Sequence, residues 1–153
     1  MYQKTMVAGW GDMDYNAHMG NTSYLNKSGD VRMMYFADCG FPMAEFARLQ
    51  LGPVVMKDVV EYFREFHLLD EVVVTMSMAG LSEDASRMML RNEFYRKGVL
   101  AARVTSTAGW LDLKNRKLIC PPANLAQPLH DMARTDDFVV LPNSQSKSAP
   151  PQD

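Results

Sequence analysis

The spacing of apolar residues predicts one long helix near the start of the chain. Apolar and small residues recur every three or four positions from about Thr22 to Asp38, which is the period of an amphipathic helix. Asn21, Thr22 or Ser23 each offers a side-chain oxygen that can cap the first turn. A glycine in mid-helix, Gly29, is expected where the helix lies close against a sheet.

Most of the remaining apolar positions have the alternation or composition of β-strands. The predicted strands are Tyr2–Gly9, Val54–Phe66, Glu71–Leu81, Ser86–Lys97 and Val99–Leu111, with a short last strand at Leu118–Ile119. Asn92 is the one exception on an otherwise apolar face. Short turns join the consecutive long strands, so the sheet is expected to be antiparallel.

Two shorter helices and a polar tail complete the predicted order of elements. After a break at Cys39–Pro42, a helix is expected at Met43–Gln50, and another within Ala123–Arg134, interrupted at Pro128. One long helix with one apolar face implies an α+β fold in which the sheet wraps around that helix. We expect one domain over residues 1–142 and a disordered tail over 143–153, which has few apolar residues to bury.

Composition excludes several classes of protein. A net charge of −2 argues against general nucleic-acid binding. No apolar run is long enough to span a membrane, and no signal peptide is expected. The two cysteines, Cys39 and Cys120, are expected to be free thiols in a reducing cytoplasm. The three histidines are scattered, so no metal site is expected. The 13 methionines are typical of adaptable core packing, and a tunnel for an acyl chain is the alternative.

A polar loop directly before the long helix holds the candidate chemistry. Asp12, Asp14, Asn16 and His18 lie within seven residues of one another. A helix N-terminus stabilises negative charge through its free N–H groups and its dipole. A carboxylate beside such a terminus is a candidate site for acyl transfer.

This loop resembles the signature of the hotdog-fold acyl-CoA thioesterases of the 4-hydroxybenzoyl-CoA thioesterase-like family. That family's pattern is roughly aromatic-Gly-Asp-x-Asp-x-x-Gly-His-x-x-Asn-x-x-Tyr. The matching residues are Trp10, Gly11, Asp12, Asp14, His18, Asn21 and Tyr24, with Ala17 where the family has glycine. The resemblance extends in the order of elements to about Pro122, and it implies a hotdog fold.

The resemblance also implies roles for individual residues. Asp14 matches the catalytic carboxylate, which acts as general base or as nucleophile, whereas Asp12 is expected to be structural. His18 is expected to orient Asp14 or to assist the leaving thiolate, although some members place a catalytic histidine where this chain has Asn21. The N–H groups of Gly20 and Asn21 are the expected oxyanion hole. The acyl group is expected to lie along the helix beside Tyr24 and Ser28.

These roles imply a cytoplasmic acyl-CoA thioesterase without a dissociable cofactor. The carrier is CoA or acyl carrier protein, and a homodimer or homotetramer is implied. Candidates for contact with CoA phosphates are Arg87, Arg91, Arg96, Lys97, Arg103, Lys114, Arg116 and Lys117. One alternative is a hydratase or dehydratase of the same fold, disfavoured because no proline follows Asn16 and the histidine spacing differs. The other is a non-catalytic acyl-binding or assembly protein.

Overall fold

A computed structural model describes residues 1–144 as one sheet with three helices. The strands are β1 (Tyr2–Val7), β2 (Leu51–Tyr62), β3 (Glu71–Ser82), β4 (Arg87–Arg96), β5 (Val99–Asp112), β6 (Lys117–Ile119) and β7 (Arg134–Leu141). The helices are α1 (Asn21–Asp38), α2 (Met43–Leu49) and α3 (Ala123–Asp131), and a 3-10 turn spans Trp10–Asp12. The strand order is β1-β3-β4-β5-β2, with β6 on β5 and β7 on β3.

The predicted α+β fold is confirmed. All pairs of neighbouring strands are antiparallel except β3 and β7, which run parallel. The sheet wraps around α1, which buries Tyr24, Val31 and Phe36 in the same core as Phe94 and Trp110 of the sheet. None of the helices within residues 1–144 is long and apolar enough to cross a membrane.

The sequence predicted where α1 ends but not how its first turn is capped. The N-cap is Gly20, which has no side chain to cap with, and the Ser23 hydroxyl donates instead to the Asp12 carbonyl at 3.3 Å. The expectation of a cap from Asn21, Thr22 or Ser23 was therefore wrong. At the other end, Gly40 has a φ of 89° and the Phe41 N–H donates to the Phe36 carbonyl at 2.8 Å. This is a Schellman motif, and it explains the predicted break after Cys39.

Two other elements and the role of Gly29 differ from the prediction. β2 begins at Leu51 rather than Val54, because an edge strand tolerates Pro53, which lacks an N–H. Helix α3 continues through Pro128 instead of stopping there. Gly29 has open space where a Cβ would lie, so it is not needed for close packing against the sheet.

Strand β7 was not predicted. It lies against the second half of β3, beyond the part of β3 that pairs with β1, and its Val139 and Val140 pair with Gly80 and Leu81. The first two residues of the predicted tail, Asn143 and Ser144, contact the turn before β4: the Ser144 N–H donates to the Ser86 hydroxyl at 2.9 Å. The rest of that tail, residues 145–153, lies outside the described residues.

A polar network between α1 and the sheet was also missed. Arg32 is only 9% exposed, and it donates to the Asn92 side-chain oxygen at 2.9 Å and to the Ser106 hydroxyl at 2.6 Å. Ser106 in turn donates to the Asp58 carboxylate. Burial lowers the pKa of Arg32 to about 10, and the negative charge of Asp58 opposes that shift. Arg32 therefore stays charged at neutral pH inside the molecule, and Asn92 interrupts the apolar face of β4 because it contacts Arg32.

Candidate active site

The loop between the 3-10 turn and α1 is closed on itself by backbone hydrogen bonds. Met13 and Met19 form an isolated antiparallel bridge, and the Asp14 N–H donates to the His18 carbonyl at 2.9 Å. Ala17, which stands where the family pattern has glycine, has a φ of 62°. This left-handed conformation favours glycine, so the loop keeps its shape here at some cost in strain.

Asp14 lies directly against the start of α1. Its Oδ1 accepts the Asn16 N–H at 2.9 Å, which fixes the carboxylate within the loop. A Cβ added to Gly20 would lie 3.3 Å from the Asp14 Cβ. Gly20 has a φ of −76°, so its backbone suits any residue. A side chain at this position would therefore press against Asp14, although the backbone itself would accept one.

The helix N-terminus offers one of the two predicted oxyanion donors in a free state. The Gly20 N–H donates to the Asp12 carbonyl at 2.9 Å, so it is already used within the loop. The Asn21 N–H has no hydrogen-bond partner within residues 1–144, as is usual for the first turn of a helix. The expectation for Gly20 is corrected in this respect: the glycine gives space beside Asp14, and the amide of Asn21 is the available donor.

Asp14 and Asn21 line one cavity of about 400 Å³, together with the predicted residues His18 and Tyr24. The opposite wall comes from the end of β2 and the segment after it, Tyr62–Glu65. Ser28, in contrast, is buried and does not line this cavity, and no hydrogen-bond partner within residues 1–144 is present for its hydroxyl.

His18 lies between two carboxylates. Its Nδ1 is 3.9 Å from Asp14 Oδ1 and 3.3 Å from the Met19 carbonyl, and its Nε2 is 4.0 Å from Glu65 Oε1. Glu65 also contacts His67 at 3.2 Å. The distances to Asp14 and Glu65 are too long for hydrogen bonds, but they place an imidazole beside the candidate catalytic carboxylate.

Asp12 does not line this cavity and is held by other contacts. Its Oδ2 accepts the Gly9 N–H at 2.8 Å and lies 3.0 Å from Lys27 Nζ. Burial alone would raise the pKa of Asp12, but the Gly9 hydrogen bond and the Lys27 ammonium outweigh it and lower the pKa below its usual value. Asp12 therefore ties the 3-10 turn to α1, as expected of a structural carboxylate.

Tyr24 forms the apolar side of the cavity. Its ring packs edge-on against Tyr62 and Phe94 at centroid distances of 5.2 and 5.3 Å. Burial raises the pKa of Tyr24 to about 12, so its hydroxyl keeps its proton at neutral pH. Tyr24 thus combines a packing role with a polar atom at the cavity wall.

A second cavity, of about 540 Å³, also borders Asp14. Its lining includes Trp10, Tyr15 and Leu68, of which Trp10 is 81% exposed and Tyr15 fully exposed. Asp14 is shared by both cavities. Asp14 therefore borders two separate spaces.

Comparison with known proteins identifies the family of this chain. Residues 8–134 match the thioesterase-like superfamily. The chain belongs to this superfamily. No curated protein sequence matches the chain. The superfamily match covers the loop, α1 and strands β2 to β6, so it includes every residue placed in the first cavity.

Solved structures show the same hotdog fold. The hypothetical protein SAV2348 from Staphylococcus aureus, solved in complex with CoA, is 18% identical, with 97% of this chain and 94% of that chain covered and a TM-score of 0.79. Slr0204 from Synechocystis, a 1,4-dihydroxy-2-naphthoyl-CoA thioesterase, is 14% identical over 85% and 96%, with a TM-score of 0.76. BH1999, a gentisyl-coenzyme A thioesterase, is 15% identical over 83% and 98%, with a TM-score of 0.75.

Sequence reasoning missed the wall of the cavity that comes from the end of β2. Tyr62, Arg64 and Glu65 lie more than 40 residues after Asp14, and no motif marks them. They reach the site because the Met19 N–H donates to the Phe66 carbonyl at 2.8 Å. This tertiary hydrogen bond has no signal in a single sequence.

Several of the predicted phosphate-binding residues have partners within the chain. Arg91 pairs with Asp137 at 2.8 Å, Arg96 with Asp70 at 2.7 Å, and Arg103 with Glu93 at 2.8 Å. No Lys or Arg of the predicted set lines either of the two cavities that border Asp14. Within residues 1–144, no group of three or more His, Cys, Asp or Glu side chains is placed to hold a metal ion.

Proposed function

We propose that this member of the thioesterase-like superfamily hydrolyses an acyl-CoA thioester to a free acid and CoA. The observation that carries the proposal is that the Asp14 carboxylate and the unpartnered Asn21 N–H line one cavity at the N-terminus of α1. A base or nucleophile and an oxyanion donor at one accessible point are the two requirements of acyl transfer.

Asp14 acts on the thioester carbonyl in one of two ways. As a base it takes a proton from water, the water oxygen attacks the carbonyl carbon, and collapse of the tetrahedral oxyanion breaks the C–S bond. As a nucleophile its carboxylate oxygen attacks directly, the thiolate leaves, and water then hydrolyses the mixed anhydride. In both routes the negative oxygen faces the Asn21 N–H and the positive end of the helix dipole. Neither route requires a dissociable cofactor.

The other residues of the site support this reaction. His18, between Asp14 and Glu65, is placed to orient the carboxylate or to give a proton to the departing thiolate. Tyr24 contacts the acyl group at the cavity wall, and Ser28, one turn further along α1, lies beyond it.

CoA is the carrier that we favour over acyl carrier protein. The SAV2348 structure, which shares the fold over 97% of this chain, contains CoA, and the other two structures named above are CoA thioesterases. Free cysteines are consistent with action in a reducing cytoplasm.

We further propose that the working unit is a homodimer, or a tetramer built from such dimers, joined along β2. This strand lies at the end of the strand order β1-β3-β4-β5-β2, and its apolar residues Val55, Met56 and Val59 are each more than 40% exposed. An edge strand of 12 residues with exposed apolar side chains offers a template for pairing with another chain. Because Tyr62 ends β2 and lines the cavity, a dimer formed there would complete the active site.

A substrate survey with three readouts separates this function from its alternatives. Thiol release from CoA thioesters of aliphatic and aromatic acids tests hydrolysis, and loss of enoyl-CoA absorbance tests hydration. Calorimetry tests binding without turnover. We expect catalytic thiol release from at least one thioester. Hydration of enoyl-CoA without thiol release would instead identify a hydratase, and acyl-CoA binding without either reaction would identify a binding protein.

A further inference from the structure

The first cavity, which Asp14 lines together with His18, Asn21 and Tyr24, has a single positively charged residue at its mouth. Arg64, an exposed residue two positions after β2, is the only Lys or Arg among the described residues that line this cavity. Met19 and Tyr24 are buried at its floor, so Arg64 lies at the solvent side of the same space.

The Arg64 side chain has no ion-pair or hydrogen-bond partner within residues 1–144, unlike the cations of the neighbouring strands. Its acidic neighbours are engaged elsewhere: Glu61 lies 3.8 Å from Arg103, and Glu65 contacts His67 at 3.2 Å. The guanidinium charge is therefore not neutralised by a side chain of the described part of the chain.

The backbone that carries Arg64 is nevertheless fixed. The N–H groups of Phe63 and Arg64 both donate to the Ala101 carbonyl, at 2.8 and 2.9 Å. Arg103 lies over the Phe63 ring, 5.9 Å from its centroid. A fixed backbone with a free guanidinium gives a positioned cation, whose planar donors match phosphate oxygens.

We infer that Arg64 binds a phosphate of the carrier arm when an acyl-CoA occupies the cavity. This inference rests on the proposed function and names the group that recognises its substrate. A thioester carbonyl held between Asp14 and the Asn21 N–H leaves the carrier arm to run outwards, so its phosphates emerge at the mouth where Arg64 lies. Arg64 is a binding residue and takes no part in the bond-breaking step.

The test compares thioesters that share an acyl group but differ in phosphate content: acyl-CoA and acyl-pantetheine. Arg64→Ala is expected to raise KM for acyl-CoA about tenfold, the effect of losing one charge-assisted hydrogen bond, and to leave KM for acyl-pantetheine and kcat unchanged. Arg64→Lys should recover part of the loss. The matched control is Arg134→Ala, because Arg134 is an exposed arginine on β7, outside this cavity, stacked on Phe138 at 4.2 Å.

Calorimetry with unacylated CoA gives a readout that does not depend on turnover. The dissociation constant of CoA should rise about tenfold in Arg64→Ala, less so in high salt, and not at all in Arg134→Ala. An equal rise in KM for both thioesters, or unchanged CoA affinity in Arg64→Ala, would overturn the inference. If the wild-type protein hydrolyses no thioester, the proposed function fails, and the CoA titration alone decides whether Arg64 binds phosphate. Absence of CoA binding to the wild-type protein would also overturn it.

Discussion

At the scale of single residues, Gly20 shows how the site depends on the absence of a side chain. A methyl group at this position would lie 3.3 Å from the Asp14 Cβ, closer than most Cβ contacts, so the carboxylate must move by a few tenths of an ångström. The backbone of Gly20 imposes no such limit, because its φ of −76° is accessible to every residue. Substitution should therefore affect catalysis more than folding.

We predict that Gly20→Ala lowers kcat and that Gly20→Val lowers it further, because a larger side chain displaces Asp14 by more. A displacement of this kind is expected to cost about tenfold or more in rate, since catalytic groups must be held within about 0.5 Å. Steady-state kinetics gives kcat, and thermal unfolding checks the fold. Gly29→Ala, on the same helix with open space at its Cβ, is the control and should keep the wild-type rate. A Gly20→Val enzyme with unchanged kcat would contradict the placement of Asp14.

A motif that concentrates polar residues in one loop allowed the sequence to name residues that lie together. Asp14, His18 and Asn21 were named from sequence, and all three line the same cavity. The hydrogen-bonding state of individual groups could not be predicted in the same way. The Gly20 N–H donates to the Asp12 carbonyl, and only the three-dimensional structure shows this. Arg64 was not predicted because its proposed role depends on its side chain having no ion-pair partner within residues 1–144, which a sequence does not show.

At the scale of elements, the packing of α1 against the sheet includes a buried cation. A pattern of apolar residues does not predict Arg32 in the core, since arginine is almost never fully buried unless it is paired. The single visible signal was Asn92, the polar exception on the inner face of β4, which accepts from Arg32 at 2.9 Å. The partner could not be identified because 60 positions separate the two residues.

We predict that the two residues are coupled in stability. Asn92→Leu leaves the buried Arg32 donor unsatisfied and should lower the free energy of unfolding by about 3 kcal/mol. The double variant Arg32→Met/Asn92→Leu should lose less than the sum of the single variants, because an apolar pair leaves no buried charge without its acceptor. Denaturant unfolding of the four proteins measures this coupling. Strictly additive losses would show that the contact between Arg32 and Asn92 contributes nothing.

The boundary of an element could be predicted from sequence only where contacts between residues close in the sequence determine it. The Schellman turn after α1 depends on Gly40 and neighbouring carbonyls, and it was predicted as a break. The start of β2 and the existence of β7 depend on which strand lies beside them. Pro53 is compatible with a strand because β2 is at the sheet edge, and β7 forms because β3 extends beyond β1.

At the scale of the whole molecule, β2 leaves a long edge with exposed apolar side chains uncovered in a single chain. We predict that the protein is at least a dimer at micromolar concentration, measured by sedimentation equilibrium or light scattering. Val59→Lys, which places a charge in the middle of β2, should shift the population towards monomer. Val140→Lys is the matched control on β7, where Val140 is 76% exposed. A wild-type monomer at these concentrations would contradict the proposed assembly.

Loss of the dimer should also reduce activity, because the end of β2 forms one wall of the cavity. If Val59→Lys is monomeric and folded but keeps the full rate, the active site is complete within one chain and the second subunit does not contribute to it.

Thioester hydrolysis is proposed to depend on the Asp14 carboxylate, and a comparison of two isosteric variants tests this role most directly. Asp14→Asn and Asp12→Asn each remove one carboxylate charge from the same loop, but only Asp14 lines the cavity with the Asn21 N–H. With the best thioester as substrate, kcat of Asp14→Asn should fall by at least about 10²-fold, the lower end of the contribution of general base catalysis. Asp12→Asn should lose far less rate, because Asp12 contacts Gly9 and Lys27 instead. A folded Asp14→Asn protein with a near-native kcat would contradict the proposed role of the Asp14 carboxylate in hydrolysis.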